Sequence, residues 1–117
     1  MEASITEALT RFEREYLGRG PQQARSVILG DVLLVRLAGI LSPAEQELSR
    51  EPGGVELLKR MRSRLIEGSS ERLKVLVQDI TGVEVSGMHT DISARSGERI
   101  FLFTLASNLE ELFAPVE

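Results

Sequence analysis

A chain of 117 residues and 12.9 kDa is the size of one domain, spanning 1–117; it can bury roughly two-thirds of its unfolded surface and fold without staples. With no cysteine and a single histidine, disulfides, thiolate zinc sites, iron–sulfur ligation, a cysteine nucleophile and a multi-histidine metal site within one chain are excluded. The net charge of −4 and a pI near 5.1 argue against nucleic acid, which is bound through a basic surface.

The first helix is signed by Ser4 and Glu7 at capping-box spacing, with Ser4 as N-cap. Ile5, Leu9, Phe12 and Tyr16/Leu17 follow as one apolar stripe, and Gly18 and Gly20–Pro21 stop it. A hairpin comes next: "QQARSVIL", a Gly30–Asp31 turn, then "VLLVRLAG". In its second strand Leu33, Val35 and Leu37 share one face and Val32, Leu34 and Arg36 the other, so both faces are largely apolar.

"SPAEQELSR" has an N-cap serine, a proline in the first turn and a glutamate at the third position, and predicts a short helix ending at Pro52-Gly53-Gly54. A helical stripe then runs from Val55 to Ile80, with Gly68-Ser69-Ser70 as the place where it kinks or splits. The last third is a second hairpin, "VEVSGMHTDIS" and "RIFLFTL" around Ala94-Arg95-Ser96-Gly97, again apolar on both sides of its second strand. "ASNLEELFAPVE" adds a helical turn before Pro115. The order helix–hairpin–helices–hairpin, a weak internal repeat, predicts an α+β fold: two antiparallel β-hairpins in a four-stranded sheet with helices packed on it. Strands apolar on both sides need a second cover, which further helices or a symmetric partner chain would supply; we expect a homodimer.

Three constellations could carry chemistry or binding. His89 and Asp91 in "SGMHTDIS" alternate onto one strand face, where a carboxylate could orient an imidazole as base or ligand. No serine elbow, Gly-rich phosphate loop or carboxylate pair accompanies them, so a polar strand face or contact surface is the preferred reading and no catalytic or metal residue is assigned. "LGRGP" places Gly18, Arg19 and Gly20 on a tight loop after a helix, either a plain helix stop or a contact for an anion or a partner's carboxylate. Arg62 falls inside the apolar stripe, between Leu58 and Ile66, and must snorkel or pair with a carboxylate. The "KRMRSR" cluster is basic, but its residues spread around the helix and acids flank it.

The stretches "EYLGRGPQQARSVILGDVLLVRLAGILSPAEQEL", "LLKRMRSRLIE", "VQDITGVEV" and "MHTDIS…GERIFLFTL" resemble a bacterial family named after MpsC, a component of a Na+-translocating, membrane-potential-generating system. The resemblance runs from about residue 5 to 106, and the family-like positions are Gly18, Arg19, Gly20, Pro21, Pro43, Glu45, Arg62, Thr81, Gly82, His89 and Asp91. It implies a small soluble protein whose genes can accompany those of membrane transport components, with no established catalytic residues to transfer. The longest apolar runs are short and interrupted by Arg36, nothing reads as a secretory signal or a basic membrane-surface helix, and we expect a cytoplasmic location without direct membrane insertion.

The functional expectation is therefore a non-enzymatic, dimeric accessory or adaptor domain, needing no cofactor and partnering a membrane cation or inorganic-carbon transport system. The rival is a small-ligand or anion sensor using Arg19, Arg62 and His89/Asp91. An enzyme would have to assemble its site from two chains.

Overall fold

The computed structural model describes residues 1–112. Its elements are α1 (Glu2–Leu17), β1 (Gln23–Leu29), β2 (Val32–Ala38), α2 (Pro43–Arg50), α3 (Gly54–Glu67), α4 (Ser70–Thr81), β3 (Val85–Ser93), β4 (Glu98–Leu105) and α5 (Leu109–Leu112). The strands form one antiparallel sheet in the order β1-β2-β4-β3. The expected α+β architecture is present, with the second strands of the two hairpins in the middle and the first strands at the edges. The repeat is visible in the packing: α1 lies against β1, α4 against β3, and the two helices touch each other.

The expected cap at Ser4 is not used. The helix begins a turn earlier, with Met1 in the cap position and no side-chain cap bond, so Ser4 and Glu7 lie within it. The side chain of Glu2, the first helical residue, reaches out of the helix instead: its carboxylate accepts the backbone N–H of Ile28 at 2.9 Å, fixing the start of α1 to the edge strand. The capping box of α2 does form. The hydroxyl of Ser42 accepts from Glu45 N at 3.2 Å, and the Glu45 carboxylate accepts from Ser42 N at 3.0 Å. Between α2 and α3 the chain turns so sharply that a Cβ on Gly54 would lie 1.7 Å from the Leu48 carbonyl oxygen; only glycine fits. The long helical segment is split at Gly68–Ser69 into α3 and α4. The final turn reaches Leu112, and the expected continuation to Pro115 lies outside the described residues.

One face of the sheet carries the core. Leu33, Val35 and Leu37 of β2 and Phe101, Phe103 and Leu105 of β4 are buried there with Ile5, Leu9 and Phe12 of α1, Leu58 and Ile66 of α3, and Leu73 and Val77 of α4. Burying a side chain of this kind is worth about 1.5–3 kcal/mol. The helices cover this face alone, so the apolar residues of the opposite face remain partly exposed.

Candidate functional site

Two features outside the apolar core draw attention: a knot of buried charge under the covered face, and the apolar band on the open face.

The knot joins four elements. Arg62 of α3, only 3% exposed, grips Glu45 of α2 with both prongs: Nε donates to Oε2 and Nη2 to Oε1, each at 2.7 Å. Its Nη2 also donates to the Ile40 carbonyl at 3.2 Å, tying α3 to the end of β2. Such a fork fits the planar guanidinium and would be lost with lysine. Glu45 thus caps α2 and anchors α3 at once. Behind Arg62 lies Glu13 of α1, fully buried, 3.7 Å from Arg62 Nη1 and 3.9 Å from Nε of the equally buried Arg99 of β4. Arg99 donates from Nη1 to the Thr90 hydroxyl at 2.9 Å and lies over the Phe101 ring. Both Glu13 oxygens, Arg62 Nη1, and Arg99 Nε and Nη2 have no direct hydrogen bond among the described residues. The inner half of the knot is therefore held by charge attraction at distances too long for hydrogen bonds.

Burial pushes the Glu13 carboxyl above its ordinary value; Arg62 and Arg99 pull the other way but do not prevail, and the charge of Glu45 adds to the rise. Glu45 is pushed up by burial too, yet the hydrogen bonds from Arg62 and from the Ser42 backbone outweigh it and its pKa lies below the ordinary value. Burial lowers Arg99, against the pull of Glu13, and the nearby charge of Arg62 lowers it further.

The residues singled out from the sequence separate into three places. Gly18, Arg19 and Arg62 border one hollow of about 350 Å³, together with Tyr16 and Glu45. His89 borders another, of about 530 Å³, beside Arg99 and Thr90. Asp91 does not engage His89: its Oδ1 accepts the N–H of Ile92 at 2.8 Å and stands 3.6 Å from Lys59 Nζ. The single pocket around Arg19, Arg62 and His89/Asp91 is thus not assembled. Gly20 faces the Arg14 side chain: a Cβ there would lie 3.3 Å from Arg14 Nε.

Glu13 and Arg99 were missed, although both carry a pattern signal. Glu13 stands four residues after Leu9 and eight after Ile5, inside the α1 stripe. Arg99 alternates with Phe101, Phe103 and Leu105 onto the buried face of β4.

The open face is read from the register. Val27, Leu34, Leu102 and His89 form one row across the four strands; Arg25, Arg36, Ile100 and Asp91 the next; Leu29, Val32, Thr104 and Gly87 the row on the other side. Six aliphatic residues thus form a band, Leu29 being 57% exposed. Arg36 is neutralised within the chain by Glu98, which accepts from Nη2 at 2.8 Å and Nε at 3.0 Å. Arg25 at one edge forms no ion pair among the described residues, and the Asp91 carboxylate at the other edge is 82% exposed.

A helix-backed antiparallel sheet with a buried two-arginine, two-glutamate tie and one open apolar face defines a small α+β domain of doubled helix–hairpin design. The chain belongs to the family described as "Na+-translocating membrane potential-generating system (MpsC)", whose model matches residues 1–107. It is similar to the uncharacterized protein YbcI of Bacillus subtilis (strain 168), 40% identical over 111 residues that cover 95% of this chain and 90% of that protein. Uncharacterized protein YrhF of the same organism is 23% identical over 108 residues, covering 92% and 88%. No solved structure matches the chain. Among the described residues, no helix is long and apolar enough to cross a membrane.

Proposed function

We propose that this protein is a non-enzymatic accessory domain that works as a symmetric dimer, pairing through the open face of its sheet, on the cytoplasmic side of a membrane cation or inorganic-carbon transport system. The observation that carries the pairing is the apolar band on that face, flanked by a free cation at one edge and an exposed carboxylate at the other. The family description supports the transport setting; with no spanning helix among the described residues, this reading routes membrane contact through a partner protein.

The arrangement of the band selects the symmetry. Two sheets stacked face to face about a two-fold axis parallel to the strands place β1 over the partner copy's β3 and β2 over its β4, with rows kept in register. Arg25 then meets Asp91 of the second copy, and Leu34 meets Leu102, each contact made twice. An axis across the strands would instead set Arg25 against Leu29 of the second copy, leaving its guanidinium desolvated without a carboxylate. Stacked sheets in proteins pack near alignment at about 10 Å, within reach of an arginine at the edge.

Sedimentation equilibrium tests this reading. Wild type is expected to be a dimer at micromolar concentration; Arg25→Asp and Asp91→Arg should each weaken it at least tenfold, and the double swap should restore most of the loss. A monomer throughout the accessible range would overturn the dimer. A dimer indifferent to all three variants would overturn the axis. For the wider setting, crosslinking in the native host should join the protein to an integral transport subunit, and Leu34→Lys should abolish that join if the dimer is the active form.

A further inference from the structure

Independently of the open face, the opposite end of the sheet carries a concavity built from four separate segments. The loop between α1 and β1 contributes Arg19 and Gln22, the residue after β2 Gly39, the last turns of α2 Gln46 and Arg50, and the β3–β4 turn Arg95. Its volume is about 560 Å³, and no aspartate or glutamate among the described residues lines it. The chain has 18 acidic against 14 basic residues, so three converging guanidinium groups without a lining carboxylate run against its overall balance. Arg50 is paired with Glu47 along the exposed side of α2. Arg19 and Arg95 have no acidic partner among the described residues.

The walls are fixed by backbone hydrogen bonds. Ile40 N donates to Gly97 O at 3.1 Å, Gly97 N to Ser93 O at 2.9 Å, and Gln22 N to Ala38 O at 2.9 Å. The Gln46 amide nitrogen is anchored to the Leu41 carbonyl at 3.1 Å. Gly39 is at φ 67°, and a Cβ there would fall 2.6 Å from Gln22 Oε1; the glycine lets Gln22 fold against the backbone at the edge of the hollow. Three arginine side chains thus border a frame held by hydrogen bonds.

From this geometry we infer that the hollow binds a small molecule carrying at least two anionic oxygen groups, phosphates or carboxylates. Guanidinium forks pair with either group through two parallel N–H donors. The volume lies in the range of small-molecule sites and far exceeds a lone oxyanion. Three arginines from separate segments match several charges spaced along one ligand better than one charge at a point. Arg62 and Arg99 take no part, since they border other hollows.

The test is calorimetric titration of the full chain with pyrophosphate and with citrate, with sodium chloride at matched ionic strength as the control. Binding of either probe, at a Kd well below about 10 mM, is expected. Arg19→Gln and Arg95→Gln should each weaken it at least tenfold, while Arg60→Gln, exposed on α3 and outside the hollow, should leave it unchanged. Melting curves without ligand should be the same for all three variants, because none of these side chains is buried. Preference for pyrophosphate assigns phosphate chemistry, preference for citrate assigns carboxylate chemistry, and both support the site. Heat no greater than that of sodium chloride, or equal weakening by Arg60→Gln, overturns it.

Discussion

Leu33 and Leu34 are neighbours in β2, yet they belong to different problems. Leu33 is fully buried beneath helices, whereas Leu34 sits in the open band. The covered face includes Arg99 and packs against Glu13 and Arg62, three charged residues sealed from water. The open face, which meets water, is largely aliphatic. Hydrophobicity alone therefore misassigns both faces. What separates them is which face the helices cover, and charge is admitted inside only where another buried charge answers it.

The largest effect should come from comparing two adjacent residues of β4. Phe103→Ala removes a fully buried ring from the core and should lower stability by about 3–5 kcal/mol. Leu102→Ala, on the open face, should change the stability of dilute protein by about 1 kcal/mol or less while weakening self-association. Urea unfolding at low concentration, set beside sedimentation, reads both numbers. A loss of about 3 kcal/mol for dilute Leu102→Ala would erase the distinction between the faces, because such a value belongs to a buried site.

Arg62→Met tests whether the knot is a tie or an ornament. Methionine keeps much of the packing but leaves Glu13 and Glu45 without their shared cation, and the expected cost is about 3 kcal/mol. Arg36→Met removes an ion pair of the same type, with Glu98, on the open face. Its expected effect is under about 1 kcal/mol, because water screens an exposed pair. Equal losses in the two variants would show that burial does not set the worth of these pairs.

The outline of the fold was legible because each element announces itself locally. Gly30–Asp31 marks a hairpin turn, Ser42 and Glu45 mark a helix start, and Gly68 marks a helix break. Ser4 misled for a physical reason: its spacing to Glu7 fits a capping box, but docking of Glu2 on the Ile28 amide starts the helix earlier, and a tertiary bond overrode a local one. Arg62 was legible as an inward arginine from its place in the stripe. Its partners were not, since Glu13 and Glu45 lie 49 and 17 positions away and only the packing of α1, α2 and α3 brings them together. The same limit applies to the arginine hollow. Arg19 stood out within "LGRGP", but nothing local links it to Arg50 and Arg95 across the ends of the hairpins.

The smallest effect, and the one most specific to the knot, is in pH. Glu13 has its folded pKa raised above the ordinary 4.5, first by burial. Between 4.5 and that higher value the folded chain holds a proton that the unfolded chain has released. Its contribution to stability is therefore fully present below 4.5 and fades as pH rises through the folded value. Glu45 has the opposite sign: with its pKa below 4.5, its contribution is present above 4.5 and fades as pH falls through its folded value. The two glutamates thus act in separate windows. Urea unfolding of wild type and Glu13→Gln, from neutral pH down to 4.5, should show the difference moving in favour of wild type as pH falls, and levelling off below 4.5. The attraction of Arg62 and Arg99 acts only on the ionised carboxylate; it reduces the rise in the Glu13 pKa and so the slope, but does not reverse its sign. A difference constant with pH would mean that Glu13 titrates in the fold as it does in the unfolded chain. The attraction of Arg62 and Arg99 would then offset the burial of the carboxyl.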